Sequence, residues 1–183
     1  MTLAERFRQH PEIRHGKLCI CFTPDEEIGR GPKRFRLAEL GAEFGYTVDG
    51  GAMGEIEFEN FNAAAAHVHF RGKSIHPGSA KDKMLNAATL AMEFHAMLPV
   101  RETPENTDGY EGFFMLSEIS GCVDHADSDY IVRDHDRQKF EAKKARLEKI
   151  AAYLNDKYGA GAVTLTLRDS YYNMLEKLKD RMD

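Results

Sequence analysis

No apolar run in this 183-residue sequence approaches the roughly 20 residues that a helical membrane span requires, so a spanning helix is not expected. The opening stretch MTLAERFRQHPEIRHG has no apolar h-region, and a secretory signal is not expected either. Cysteine is scarce. Cys19, Cys21 and Cys122 form an odd, small count that argues against a disulfide framework, and reduced thiols in a cytoplasmic protein are the simplest reading. Positive charge is not in excess: 25 lysines and arginines stand against 30 aspartates and glutamates, a formal net charge of -5, which gives no global reason to bind nucleic acid. The basic cluster Arg30, Lys33, Arg34 and Arg36 reads as a solvated helix face. Internal repeats are absent, and the only low-complexity segment is the alanine run 63–66.

What is present is the composition of a soluble globular protein, 42% hydrophobic and 30% charged, long enough for one domain or two small ones. Thr2 and Glu5 have capping-box spacing, so a short helix is expected to run to His10, with Pro11 helping to end it. KLCICF (17–22) reads as a buried strand, FRLAELG (35–41) as one or two helical turns stopped by Gly41, and FGYTVDGG (44–51) as a second strand. Strand, helix and strand in that order imply a fragment of a parallel α/β sheet whose functional edge lies at the strand C-termini.

Past Gly54 the pattern changes. A strand over 62–72, a helix over 83–98 ended by Pro99, and strands over 112–121 and 128–135 follow in turn. Asp136 is placed to cap a long helix reaching Tyr158, whose stripe Phe140, Leu147, Ile150, Leu154 and Tyr158 ends at Gly159. An alternating strand over 162–172 and the start of a last helix complete the chain. The order from 62 to 172 is β-α-β-β-α-β, a ferredoxin-like antiparallel sheet with two helices on one face. The expected division is residues 1–54 as part of one α/β domain, 55–172 as a complete α+β domain, and 173–183 as the start of a return to the first.

The segment FTPDEEIGRG sets Glu26 and Glu27 side by side after an apolar run, and Asp49 falls at the end of the next one. Adjacent acids can divide labour, one ligating a zinc or manganese ion while the other takes a proton from the metal-bound water. Taken alone, the pair reads as two solvated glutamates in a loop. The context is more specific. FTPDEEIGRG, then YTVDGG about twenty residues on, then SIHPGSAK resemble the peptidase T family of co-catalytic zinc peptidases, which are tripeptide aminopeptidases. GYEGF (109–113), IVRDHDRQKFEAKK (131–144) and YYNMLEKL (171–178) extend the resemblance from Lys17 over nearly the whole chain.

The resemblance implies that Glu26 is the general base, Glu27 a ligand of one zinc ion and Asp49 a ligand of the other. It implies that residues 55–172 form a lid through which two subunits dimerise. His76 in the lid would reach the partner subunit's active site and stabilise the oxyanion of the tetrahedral intermediate. Arg133 would bind the peptide's C-terminal carboxylate through its planar fork. The family's two-metal site also needs an upstream His-x-Asp pair, a bridging aspartate and a histidine near the C-terminal end, and this sequence lacks them at the matching places. HAD (125–127) imitates His-x-Asp but is expected in the turn between two lid strands. The isolated chain is therefore expected to be inactive, a lid with a partial catalytic domain. The alternative is a non-catalytic dimerisation or ligand-binding module of the same fold.

Other candidates have plainer readings. His67 and His69 share a strand face, the geometry of a metal pair, but no third ligand is near in sequence and a surface or interface pair is expected. Cys19 and Cys21 are expected as buried, inert thiols on a strand, and Asn86 as the start of a helix.

Overall fold

The computed structural model describes residues 2–24, 31, 35–49 and 51–181. They fall into two compact units, Met1–Glu55 and Ile56–Asp183. In the first unit, α1 spans Thr2–Gln9 and α2 spans Leu37–Leu40. Gly41 ends α2 in the left-handed conformation that glycine adopts without strain. Arg36 precedes α2 and pairs with Glu39 on the surface, as a solvated cluster requires, while Arg30, Lys33 and Arg34 lie outside the described residues.

Residues 17–22 and 44–49 correct the sequence reading, because they are irregular rather than strands. Leu18, Ile20 and Phe22 are more than half exposed, and Cys19 and Cys21 are exposed rather than buried. A strand is held by a ladder to a neighbour. Among the described residues of this unit there is no strand, so apolar character alone fixes nothing.

The second unit is built on four antiparallel strands: β1 (Asn62–Arg71), β2 (Phe113–Gly121), β3 (His125–Asp134) and β4 (Val163–Tyr171). Their order across the sheet is β2-β3-β1-β4, with β1 bonded on both sides. α3 (Ala87–Ala96) and α4 (Arg137–Tyr158) carry the crossovers and cover one face. Asn86 caps α3 by accepting the amides of Ala88 and Thr89, and Asp136 caps α4 by accepting that of Lys139. One core joins Val68 and Phe70 of β1 and Tyr130 and Val132 of β3 to Leu90 and Phe94 of α3 and Phe140, Leu147 and Leu154 of α4. The observed β-α-β-β-α-β order is the one expected. HAD (125–127), expected in a turn, instead opens β3, because its backbone pairs in register with Arg71, Phe70 and His69.

Two polar devices fix the end of the sheet where β1 begins. Asn62 is fully buried and donates to the carbonyls of Asp134 and His135, while its Oδ1 accepts the Asn173 amide. Asn173 accepts from Asn60 N and Leu175 N, the latter opening the short helix α5 (Leu175–Leu178), and Asn60 Oδ1 accepts Met174 N at 2.7 Å. The segments entering and leaving the unit are thus bound to each other by three side-chain amides.

The second device is Asp134, buried beneath Gly112 and facing Lys143, which also pairs with Glu102. A Cβ on Gly112 would stand 2.0 Å from Asp134 Oδ2 and 2.6 Å from the Arg133 carbonyl.

Gly112→Ala is therefore expected to cost about 2–3 kcal/mol through overpacking, lowering the melting temperature by roughly 5–10 °C; thermal unfolding followed by circular dichroism measures it. Amide exchange provides a second check: residues 113–120 and 140–158 should be strongly protected and residues 17–22 weakly. Tyr130 gives a third. It is 1% exposed, and burial pushes its phenol up to about 12. The unfolded phenol titrates near 10, so above that pH the unfolded chain releases a proton that the native state keeps. Stability should fall as pH rises from about 10 to 12, and Tyr130→Phe should remove that part of the slope in alkaline denaturant titrations.

Candidate functional site

Period-two alternation gives the sheet two different faces. Residues 126, 128, 130, 132 and 134 of β3 turn toward the helices and are buried. The opposite face, free of helices, carries Arg133 of β3, flanked in register by Phe113 of β2 and Ala63 of β1. Arg133 is half-buried, and its Nε is buried without a hydrogen-bond partner. Among the described residues no carboxylate lies within ion-pair distance of its guanidinium.

The surroundings of Arg133 are aromatic. Its Cζ lies 6.0 Å from the centroid of the Phe61 ring. Phe61 meets Phe113 edge-on at 5.7 Å and packs against His135 at 4.1 Å. Tyr110 packs edge-on against His135 at 4.7 Å and donates its hydroxyl to Glu59 Oε1 at 2.7 Å. That hydrogen bond and the Glu59 charge hold the Tyr110 phenol above its ordinary pKa. Sequence reasoning singled out Arg133 but not Phe61, Tyr110 or His135. Residues 61 and 63, and 133 and 135, share a face by alternation, so the missing information was the register that sets Ala63 opposite Arg133.

His76 lies beyond the other end of β1. It is exposed and opens the turn Pro77–Ser79, where its Nδ1 accepts the Gly78 amide at 3.2 Å. A neutral ring held this way carries its proton on Nε2, which is then a donor. The eight steps of β1 from Ala63 to Arg71 span about 26 Å. Ser74 is tied to Asp124 at the far turn, and the two residues from there to His76 can recover at most about 7 Å. His76 and Arg133 therefore stand at opposite ends of one sheet and do not meet within one chain. Asp49 is exposed in the irregular stretch of the first unit, and Glu26 and Glu27 lie outside the described residues.

The histidine pair acquires neighbours that sequence distance concealed. His67 Nδ1 lies 2.8 Å from Asp129 Oδ1, and His69 Nδ1 lies 2.8 Å from Asp127 Oδ1, both across the β1–β3 ladder. His67 Nε2 is 3.4 Å from the same Asp127 oxygen. Among the described residues no group of three or more histidine, cysteine and acidic side chains is placed to hold a metal. Among the described residues, too, no helix is long and apolar enough to cross a membrane.

Comparison with known proteins agrees with the sequence resemblance. The chain is 54% identical to a protein named Peptidase T from Geobacillus sp. strain WCH70 over 179 residues, 98% of this chain and 44% of that protein. A Peptidase T from Listeria welshimeri is 56% identical over 170 residues, covering 93% of this chain and 42% of the relative. The chain thus spans less than half the length of these relatives. The crystal structure of aminopeptidase PepT from Bacillus cereus superposes with a TM-score of 0.77 at 24% identity, covering 93% of this chain and 46% of that one. At that identity the superposition speaks for the fold. Residues 58–162, which hold the whole of β1, α3, β2, β3 and α4, match the peptidase dimerisation domain, and the chain belongs to that family.

Proposed function

We propose that this chain is the dimerisation lid, with part of the catalytic region, of a peptidase T-like zinc aminopeptidase that releases the N-terminal residue from tripeptides. The observation that carries the reading is the placement of Arg133 and His76 at opposite ends of one sheet. An extended tripeptide spans at most about 11 Å, less than half the length of β1 between them. One peptide cannot touch both residues of the same lid. Two lids, paired so that the His76 end of one faces the catalytic region of the other, would bring both residue types to each substrate. The family match to a dimerisation domain supports that pairing.

In this scheme Arg133 holds the C-terminal carboxylate with charge-assisted hydrogen bonds from its terminal nitrogens. His76 offers Nε2–H to the oxyanion that develops as the peptide carbonyl is attacked, a role suited to a donor fixed by a backbone contact on its other nitrogen. Glu26 would act as general base, with Glu27 and Asp49 as metal ligands. When bound, zinc would supply an activated water and polarise the scissile carbonyl. The described residues of this chain do not by themselves fit a zinc site. The chain would operate in the cytoplasm as a homodimer.

The reading has two measurable consequences. Sedimentation at micromolar concentration should give a dimer, and a monomer would overturn the lid-pairing scheme. Supplied with Zn²⁺ or Co²⁺, the chain alone should release no N-terminal residue from tripeptides. Turnover abolished by Glu27→Ala would mean that this chain contains a complete metal centre, contrary to the proposal.

A further inference from the structure

We infer that Phe61 and Phe113 form the subsite for the side chain of the peptide's C-terminal residue, so that this lid selects peptides ending in a large apolar or aromatic residue. The inference rests on the reading of Arg133 as the carboxylate clamp. A carboxylate held about 2.8 Å from the terminal nitrogens of Arg133 sits within one residue's reach of the Phe61 ring, whose centroid is 6.0 Å from Cζ. The adjacent Phe113 is the register partner of Arg133 on the same face, and both rings are only half-buried. A C-terminal side chain leaving the clamp on that side meets aromatic carbon.

The rings are also held in place. His135 backs Phe61 at 4.1 Å, Tyr110 backs His135 at 4.7 Å, and the Tyr110 hydroxyl is anchored on Glu59. Gly112 sets the start of β2, because the Asp134 carboxylate occupies the space its Cβ would take. Phe61 and Phe113 meet edge-on at 5.7 Å, an arrangement in which each ring still exposes part of its face or edge. Burying a ligand ring against this pair removes apolar area from water on both partners, whereas an alanine side chain reaches little of it. The Arg133 Nε is buried, and the guanidinium lies beside the aromatic pair, its Cζ 6.0 Å from the Phe61 centroid.

The test is a titration of the 15N-labelled full chain, with chelator present, by Ala-Ala-Phe, Ala-Ala-Ala and Ala-Ala-Phe amide, read from amide shifts around residues 61, 113 and 133. Ala-Ala-Phe should bind about tenfold tighter than Ala-Ala-Ala, the lower end of what apolar pockets discriminate. The amide should lose most of the affinity. Phe113→Ala should reduce the Phe-to-Ala preference to threefold or less. Phe61→Ala serves as the second variant, and a dispersed spectrum confirms that each is folded. Equal affinities for the two acids would overturn the aromatic subsite and leave the carboxylate clamp standing. Equal affinities for the acid and the amide, or no shifts with any peptide, would overturn the clamp and the subsite with it.

Discussion

The continuous pairing of β1 with β3, ten residues in uninterrupted register from Asn62 opposite Asp134 to Arg71 opposite His125, is the constraint on which the remaining geometry depends. It turns Val68 and Phe70 inward together with Tyr130 and Val132, and so decides which side the helices cover. On the other side it brings Arg133 alongside Ala63 and the histidine pair alongside two aspartates. A slip of one residue would exchange the two faces and move the arginine into the core. Buried Asn62 resists that slip, since its amide reaches two carbonyls at the end of β3 that no shifted register would present.

The alanine run at the start of β1 belongs to the same constraint. Ala64 and Ala66 sit on the core face in the middle strand, where helices approach from one side and strands from both. Small side chains there leave volume to the large residues of neighbouring elements, among them Phe94, Phe114 and Phe140. Alanine has little strand preference of its own. Two hydrogen-bonded neighbours give this stretch its conformation.

How much of this could be read from the sequence varied with the range of the interactions involved. Caps are local, and Asn86, Asp136 and Gly159 mark their helix ends through contacts within a few residues. The long stripe of α4 repeats over many turns and was equally plain. β3 was harder. Its first residues, His125 to Asp127, are polar or small, and only the ladder to β1 shows that they are strand. KLCICF misleads in the opposite direction, since its apolar run implies a strand where the described residues of that unit offer no strand beside it. Motif resemblance singled out Arg133 and His76, each flanked by its signature residues. Tyr110 and His135 lie within GYEGF and IVRDHDRQKFEAKK but nothing local marks them as neighbours of Arg133, Phe61 lies in no motif, and the grouping depends on cross-strand register and on a loop folded back to Glu59.

The asparagine-mediated bonding of residues 60–62 to 173–175 has a consequence for how such a unit can be housed. Its two ends leave the fold side by side, so a host chain sees the whole unit as one long closed excursion between neighbouring points. Domains whose termini lie close together can be carried in a surface loop of another domain without prising apart the host's own strands, and the entropic cost grows only slowly with the length of the insertion. The three amides therefore give the second unit the form of a portable insert, whose attachment would need little more from a host than two adjacent chain ends.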